Sequence, residues 1–416
     1  MPLASDPTVS APPAGIISRT FSPFRYRDFR LMWAGAFTST CGTWMQEVAQ
    51  ALLVYKLTNS AFYLGLVEFL GDLPIVLFSL VGGVIADRAD RRKLLLGSQY
   101  IQMTCAFVLM GLVLANKVQI WHVLVLVFVV GTGQSFGGPA YQALIPGLVE
   151  REHVPKAIAL NSIQFNLART VGPLLATAAM AAGGMALCFG LNGLSFIAVI
   201  ISLYIIRASF VPQKTTESVI TGLKQGFAYV KTRGALWQLT ILGFVGTFCG
   251  IPMFTLLVVF AKSIFKMGDI GYGYMVTTSG AGSIVGALLY AGLSHRTHRA
   301  TLVLWIQIIF AALLCCFAVS KNLPLSLAVL FFAGMCLMIM FSSITSLVQL
   351  GTSEELRGRT MSIFMFAFRG GMPLGNLVFG YLADRLSPPI SLVIASVILA
   401  AVAIGFFLSN SGIKKL

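Results

Sequence analysis

Five ionisable side chains interrupt otherwise apolar stretches of this sequence: Glu47, Glu68, Asp72, Arg169 and Arg369. In hydrocarbon, a charge near the bilayer centre costs about 2.5–3.5 kcal/mol on insertion scales, so it is retained where it faces a cavity or a partner. Glu68 and Asp72 are four residues apart and share one helix face. Carboxyls in such surroundings are the groups that take up and release protons near physiological pH. Asp72 or Glu47 is expected to do this, with Arg169 pairing with a carboxylate while it is unprotonated. Protonation would free Arg169 and bias the protein between two conformations. The alternative is a static buried ion pair that fixes helix packing. No cofactor is expected, because the chain has no phosphate-binding loop, nucleophile elbow or H-E-x-x-H. The seven cysteines lie in apolar runs without a CxxC pair, so neither a disulfide nor a metal site is expected.

The elements that carry these charges follow from composition. Of 416 residues, 57% are hydrophobic and 10% charged, against about 25% charged in soluble domains. The mean hydropathy is +0.86. A span needs roughly 20 apolar residues, and such runs occur at 29–55, 61–86, 93–115, 120–147, 155–182, 185–206, 236–261, 270–294, 300–319, 324–350, 357–383 and 389–408. The expected fold is therefore an all-α membrane protein of twelve transmembrane helices with the lipid bilayer as solvent. Gly, Ser and Ala within the runs allow close helix packing.

The longest polar connection, 208–235, separates two six-helix bundles at 21–207 and 236–410. Its part 218–230 reads as an amphipathic helix lying on the membrane. Residues 1–20, rich in Pro, Ala, Ser and Thr, read as a disordered cytoplasmic tail, and 411–416 as a short C-terminal one. The bundles echo each other. Arg169, Pro173 and Leu174 in span five stand 200 residues before Arg369, Pro373 and Leu374 in span eleven, which suggests a duplicated, pseudo-symmetric unit. Gly172, Pro173 and Pro373 are expected to kink their spans, although membrane helices also tolerate proline.

The net charge of +15 does not indicate a nucleic-acid partner, because the bases sit between apolar runs. The side holding both termini carries 21 of the 29 Lys and Arg, the other side 6, and two lie inside spans. The excess marks the basic side as cytoplasmic. At about 1.5 Å rise per residue, Asp72, Arg169 and Arg369 then fall near mid-depth, with Glu47 in the outer half and Glu68 near the outer mouth.

The connection between spans two and three reads Gly82-Gly83-Val84-Ile85-Ala86-Asp87-Arg88-Ala89-Asp90-Arg91-Arg92-Lys93. Asp87 ends a helix whose dipole disfavours an anion there, so it needs a partner. Gly83 removes a side chain where a neighbouring helix can approach. Gly83, Asp87, Arg88, Arg91 and Arg92 resemble the G-x-x-x-D-R-x-x-R-[RK] loop signature of the major facilitator superfamily. That resemblance implies a carrier working by alternating access. It also implies a contact of Asp87 with the start of span eleven, near Arg357 and Arg359, that closes the cytoplasmic side. Alternatively, the bases of this loop only obey the positive-inside pattern. The matching connection of the second bundle, Leu293 to Arg299, lacks the acid, so any such gate is asymmetric.

More narrowly, Arg25 to Gly35, Trp44 to Ala49, Leu53 to Thr58, Asn161-Ser162, Phe165 to Arg169 and Gly172-Pro173 resemble the bacterial branch with enterobactin exporters and macrolide-efflux-like proteins. This implies no enzyme but a monomeric secondary transporter of the bacterial cytoplasmic (inner) membrane. It would exchange protons for an amphipathic small-molecule substrate such as a siderophore, drug or related metabolite. Uptake by proton symport, lipid flipping, or a non-transporting receptor or scaffold are the alternatives, and the intramembrane charges count against the last. Trp44, Gln46, Gln50, Tyr141, Gln142, Gln164, Asn166 and Asn376 are candidate substrate contacts, with helix-packing hydrogen bonds an equally good role for each.

Overall fold

The computed structural model describes residues 21–88, 90–206, 219–293 and 299–409. The tails expected at 1–20 and 411–416, and the first part of the connection, 208–218, lie outside the described residues.

The apolar runs fold as helices close to their expected bounds. Span one is Arg27–Thr58, span two Ala61–Arg88, span three Arg91–Leu114 and span four Ile120–Leu144. Spans five and six share the element Val154–Ile205. Span seven is divided into Gly234–Gly250, Pro252–Val259 and a π-helical turn, Phe260–Ile264. Spans eight to twelve are Gly268–Leu293, Arg299–Val319, Leu323–Leu350, Arg357–Arg385 and Pro388–Leu408. Among the described residues, nine segments are long and apolar enough to cross a membrane, and one of them, Arg151–Ile205 with 55 residues, holds two spans. Span one falls outside those nine because polar side chains dilute it, among them Thr40, Thr43, Gln46, Glu47 and Gln50.

Local chemistry sets the helix ends. Asp90 caps span three by accepting from the amides of Arg92 at 2.9 Å and Lys93 at 3.4 Å, which satisfies N–H groups that have no acceptor in their own helix. Asn322 and Ser387 do the same for spans ten and twelve. Spans five and six reverse at Gly183 and Gly184, and Gly184 has φ 70° and ψ −169°, a region open to essentially glycine alone. A side chain at Gly184 would meet nothing within 4 Å, so substitution carries only a backbone cost. Gly184→Ala is expected to destabilise the protein by about 1–3 kcal/mol, read as a lower melting temperature in detergent. Pro173 and Pro373 lie inside helices that continue through them.

Within each bundle the spans approach closely at small residues. Gly42 of span one lies against Asn192 and Ser195 of span six, and Gly282 of span eight lies against the backbone of Phe331 in span ten. Side chains at these positions would hold the helices apart.

Alternating span direction gives the molecule two ends. The linker end holds the connection between the bundles, and the far end holds the turns near residues 59, 117, 184, 266, 321 and 387. The bundles meet at the far end. There Asp384 of span eleven bonds to the start of span two, Tyr55 of span one bonds to Ser263 of the π-helical turn at 2.7 Å, and Gly273 of span eight abuts Thr177 of span five. At the linker end, positions Gly138 and Gly358 face open space. The helix Val219–Thr232 docks on the second bundle: Gly226 lies against the Arg359 carbonyl, and Phe227 packs edge-on against Trp237 at 5.9 Å.

Candidate functional site

Arg169 marks the middle of the seam between the bundles. Its guanidinium lies 5.5 Å from the ring centre of Trp44 on span one and 5.4 Å from that of Phe254 on span seven. One ring comes from each bundle, and each attracts the cation through its face. Trp44 is held in turn by an edge contact with Phe165 at 5.9 Å. Spans one and five come close enough for this because Gly172 leaves room for the Cβ of Trp44 and the carbonyl of Cys41. Phe254 reaches the seam two residues after Pro252 restarts span seven.

The three acids surround one cavity. Glu47, Glu68 and Asp72 line a space of about 150 Å³ in the first bundle, together with Thr43, Gln46, Gln50 and Gln134. Glu47 interacts electrostatically with Arg169. Asp72 interacts with Arg369, which lies on span eleven of the other bundle. Among the described residues neither couple is at ion-pair distance. Arg169, Arg369 and Asp72 thus lie towards mid-height and Glu47 and Glu68 nearer the far end, with Glu47 in electrostatic reach of Arg169 inside the first bundle and Asp72 of Arg369 across the seam.

The polar candidates are placed as follows. Gln46 accepts from Asn192 at 2.7 Å, and Gln50 lines the cavity. Gln164 is buried and donates to Thr40 at 3.0 Å. Asn166 donates to the Ser162 carbonyl on its own helix. Asn376 is buried and accepts from Thr255 at 3.0 Å. Tyr141 donates to Asn161 at 2.6 Å near the linker end, and Gln142 beside it is exposed.

In the loop after span two, Arg91 donates to the Ala143 carbonyl at 3.3 Å and Arg92 to that of Tyr204 at 2.9 Å. Both tie the loop to spans four and six of its own bundle. Arg357 pairs with Glu354 at 3.9 Å. The side chains of Gly83, Asp87 and Arg88 lie outside the described residues, as does the connection 294–298 of the second bundle.

Sequence reading missed three contributors. Phe254 is one apolar residue among many and carries no local signal. Gln134 joins the acid cavity only through the packing of span four on span two. Asp384 has a signal: Gly380-Tyr381-Leu382-Ala383-Asp384-Arg385 has the G-x-x-A-D-R spacing of Gly83 to Arg88.

Residues 18–412 match the transmembrane secretion effector family. The chain belongs to this family of major facilitator transporters. This transporter is 23% identical to macrolide efflux protein A of Streptococcus pyogenes over 376 residues, covering 87% of this chain and 92% of that protein. It is 24% identical to the enterobactin exporter of Escherichia coli over 369 residues, covering 86% of each. Its fold superposes on a bacterial homologue of the human lysosomal transporter Spinster, solved in an inward-facing and unoccupied conformation, with a TM-score of 0.75 at 13% identity over 93% of this chain and 97% of the other. The transporter accordingly has the two-bundle, twelve-helix major facilitator architecture, and its family is one of carriers, not enzymes.

Proposed function

We propose that this transporter is a proton-coupled exporter of amphipathic small molecules that works by alternating access, as a monomer, in the bacterial inner membrane with its linker end and both termini in the cytoplasm. The observation that carries the reading is the cavity that Glu47, Glu68 and Asp72 line together in the first bundle, with Asp72 within electrostatic reach of Arg369 on span eleven of the other. Protonation of Asp72 removes its attraction for Arg369, which weakens one hold of the seam and shifts the balance between access states. Glu47 and Glu68 extend the same cavity, so a proton arriving from the far side meets carboxyls in series.

The substrate reading rests on Arg169. A guanidinium between two aromatic faces offers a charge to an acidic group and flat apolar surface to the body that bears it. Amphipathic molecules with an anionic group fit this lining, and siderophores, acidic drugs and related metabolites belong to that class. Efflux is favoured by the relatives named as efflux and export proteins, and the orientation by the 21-to-6 distribution of basic residues.

The test uses purified transporter in proteoliposomes with an imposed pH gradient, after compounds that raise its melting temperature have been identified in detergent. Substrate-dependent proton movement opposite in direction to substrate flux is the expected result. Co-directional movement would turn the reading to uptake. Flux indifferent to the gradient would remove the coupling.

A further inference from the structure

Spans two and eleven pair antiparallel along the seam, so the start of span two lies beside the last turn of span eleven at the far end. The first amides of span two have no acceptors in their own helix. Their acceptor comes from the other bundle. Asp384 accepts from the Ala61 amide at 2.6 Å and from the Phe62 amide at 3.1 Å, and the Ser60 hydroxyl donates to the same carboxylate. One side chain of the second bundle therefore caps a helix of the first, more than 320 residues away in sequence. Electrostatics favours this arrangement on both sides. The negative end of the span-eleven dipole disfavours Asp384, and the positive end of the span-two dipole attracts it. One turn earlier, Gly380 lets span two pass close: a side chain there would meet the Ala61 carbonyl at 2.8 Å and Gly65 at 3.3 Å. Tyr381 closes the contact edge-on to Phe62 at 6.2 Å.

The sequence motif gives this contact its meaning. Gly380 to Arg385 repeats the spacing of Gly83 to Arg88, and the two copies end the two partner helices at opposite ends of the molecule. We propose that Asp384 is the far-side latch of the transporter: it holds the far end shut by capping span two across the bundles, and it must let go for the far end to open. Asp384 is on this account a positioning residue that sets the balance between access states and touches no substrate. The inference rests on alternating access alone and is independent of the coupling ion and the substrate.

The test is pulsed electron spin resonance on full-length protein in nanodiscs, with spin labels at Asn116 and Lys321 on the far-end turns of the two bundles and the native cysteines replaced. No substrate or gradient is needed, so proton coupling can fail while the latch stands, and the reverse. Asp384→Asn keeps the shape and removes the charge. It is expected to raise the far-open population about 5- to 30-fold, the size of a lost charge-assisted cap. Asp384→Glu should recover much of the wild-type distribution, and Ser60→Ala should give a smaller shift in the same direction. Melting temperature in detergent, which a purely structural residue would lower, is expected to change little, because each bundle keeps its own packing. An Asp384→Asn protein that is folded and has the wild-type distance distribution overturns the proposal. If Asp384→Asn does not fold, the Ser60→Ala distribution decides: unchanged populations there overturn it as well.

Discussion

Asp72→Asn is expected to retain substrate exchange between equal pools and to lose accumulation driven by a pH gradient. Asparagine keeps the shape of the side chain and cannot carry a proton on and off. The couple with Arg369 spans the seam, so its charge state is felt by both bundles. Coupling free energies between linked sites run at about 1–3 kcal/mol, or roughly 5- to 150-fold, and gradient-driven accumulation should fall within that range. Arg369→Gln should reduce it similarly, and the double variant should be little worse than either single one, because the two act through one interaction. Gradient-driven flux by Asp72→Asn at the wild-type level would show that Asp72 only packs helices. Parallel measurements of exchange and accumulation in the same proteoliposomes separate the two outcomes.

The second large effect is expected from Gly65→Val. A side chain at Gly65 would occupy the space of the Asn376 carbonyl on span eleven. A backbone oxygen in an intact helix does not swing aside as the end of a flexible side chain does. Overpacking of this kind costs about 1–3 kcal/mol, and here the simplest relief is for the bundles to part at the far end. Transport should therefore collapse while folding survives, with the protein monodisperse and its melting temperature in detergent close to wild type. Gly111→Ala is the matched control, since its position faces open space, and it should leave flux unchanged. A Gly65→Val protein with normal flux would show that the far end never closes to this distance during turnover.

What the sequence made legible divides along a physical line. Span positions were readable because each apolar run must be long enough to cross hydrocarbon. The turn at Gly183 and Gly184 fell where adjacent runs met, between 182 and 185. The pairing of Glu68 with Asp72 followed from helical spacing alone. Whatever depends on which helix lies beside which was hidden. Glu47 is on another span from Glu68 and Asp72, and nothing local shows that the three share a cavity. Phe254 faces Arg169 only because span seven breaks near Ile251 and the bundles meet there. Asp384 looked like an ordinary acid at a helix end until span two was seen to start against it. Its six-residue motif was present in the sequence, but recognising it needed the antiparallel pairing of spans two and eleven.

The placement of Arg169 against Trp44 has an optical consequence. An indole within 5.5 Å of a guanidinium sits in a strong local field, and the second ring holding that guanidinium belongs to the opposite bundle. Rocking of the bundles pulls on the cation from one side only, so the field at the indole changes with each swing. Trp44 emission is therefore expected to shift as the bundles rock, an unlabelled signal that Trp44→Phe would remove.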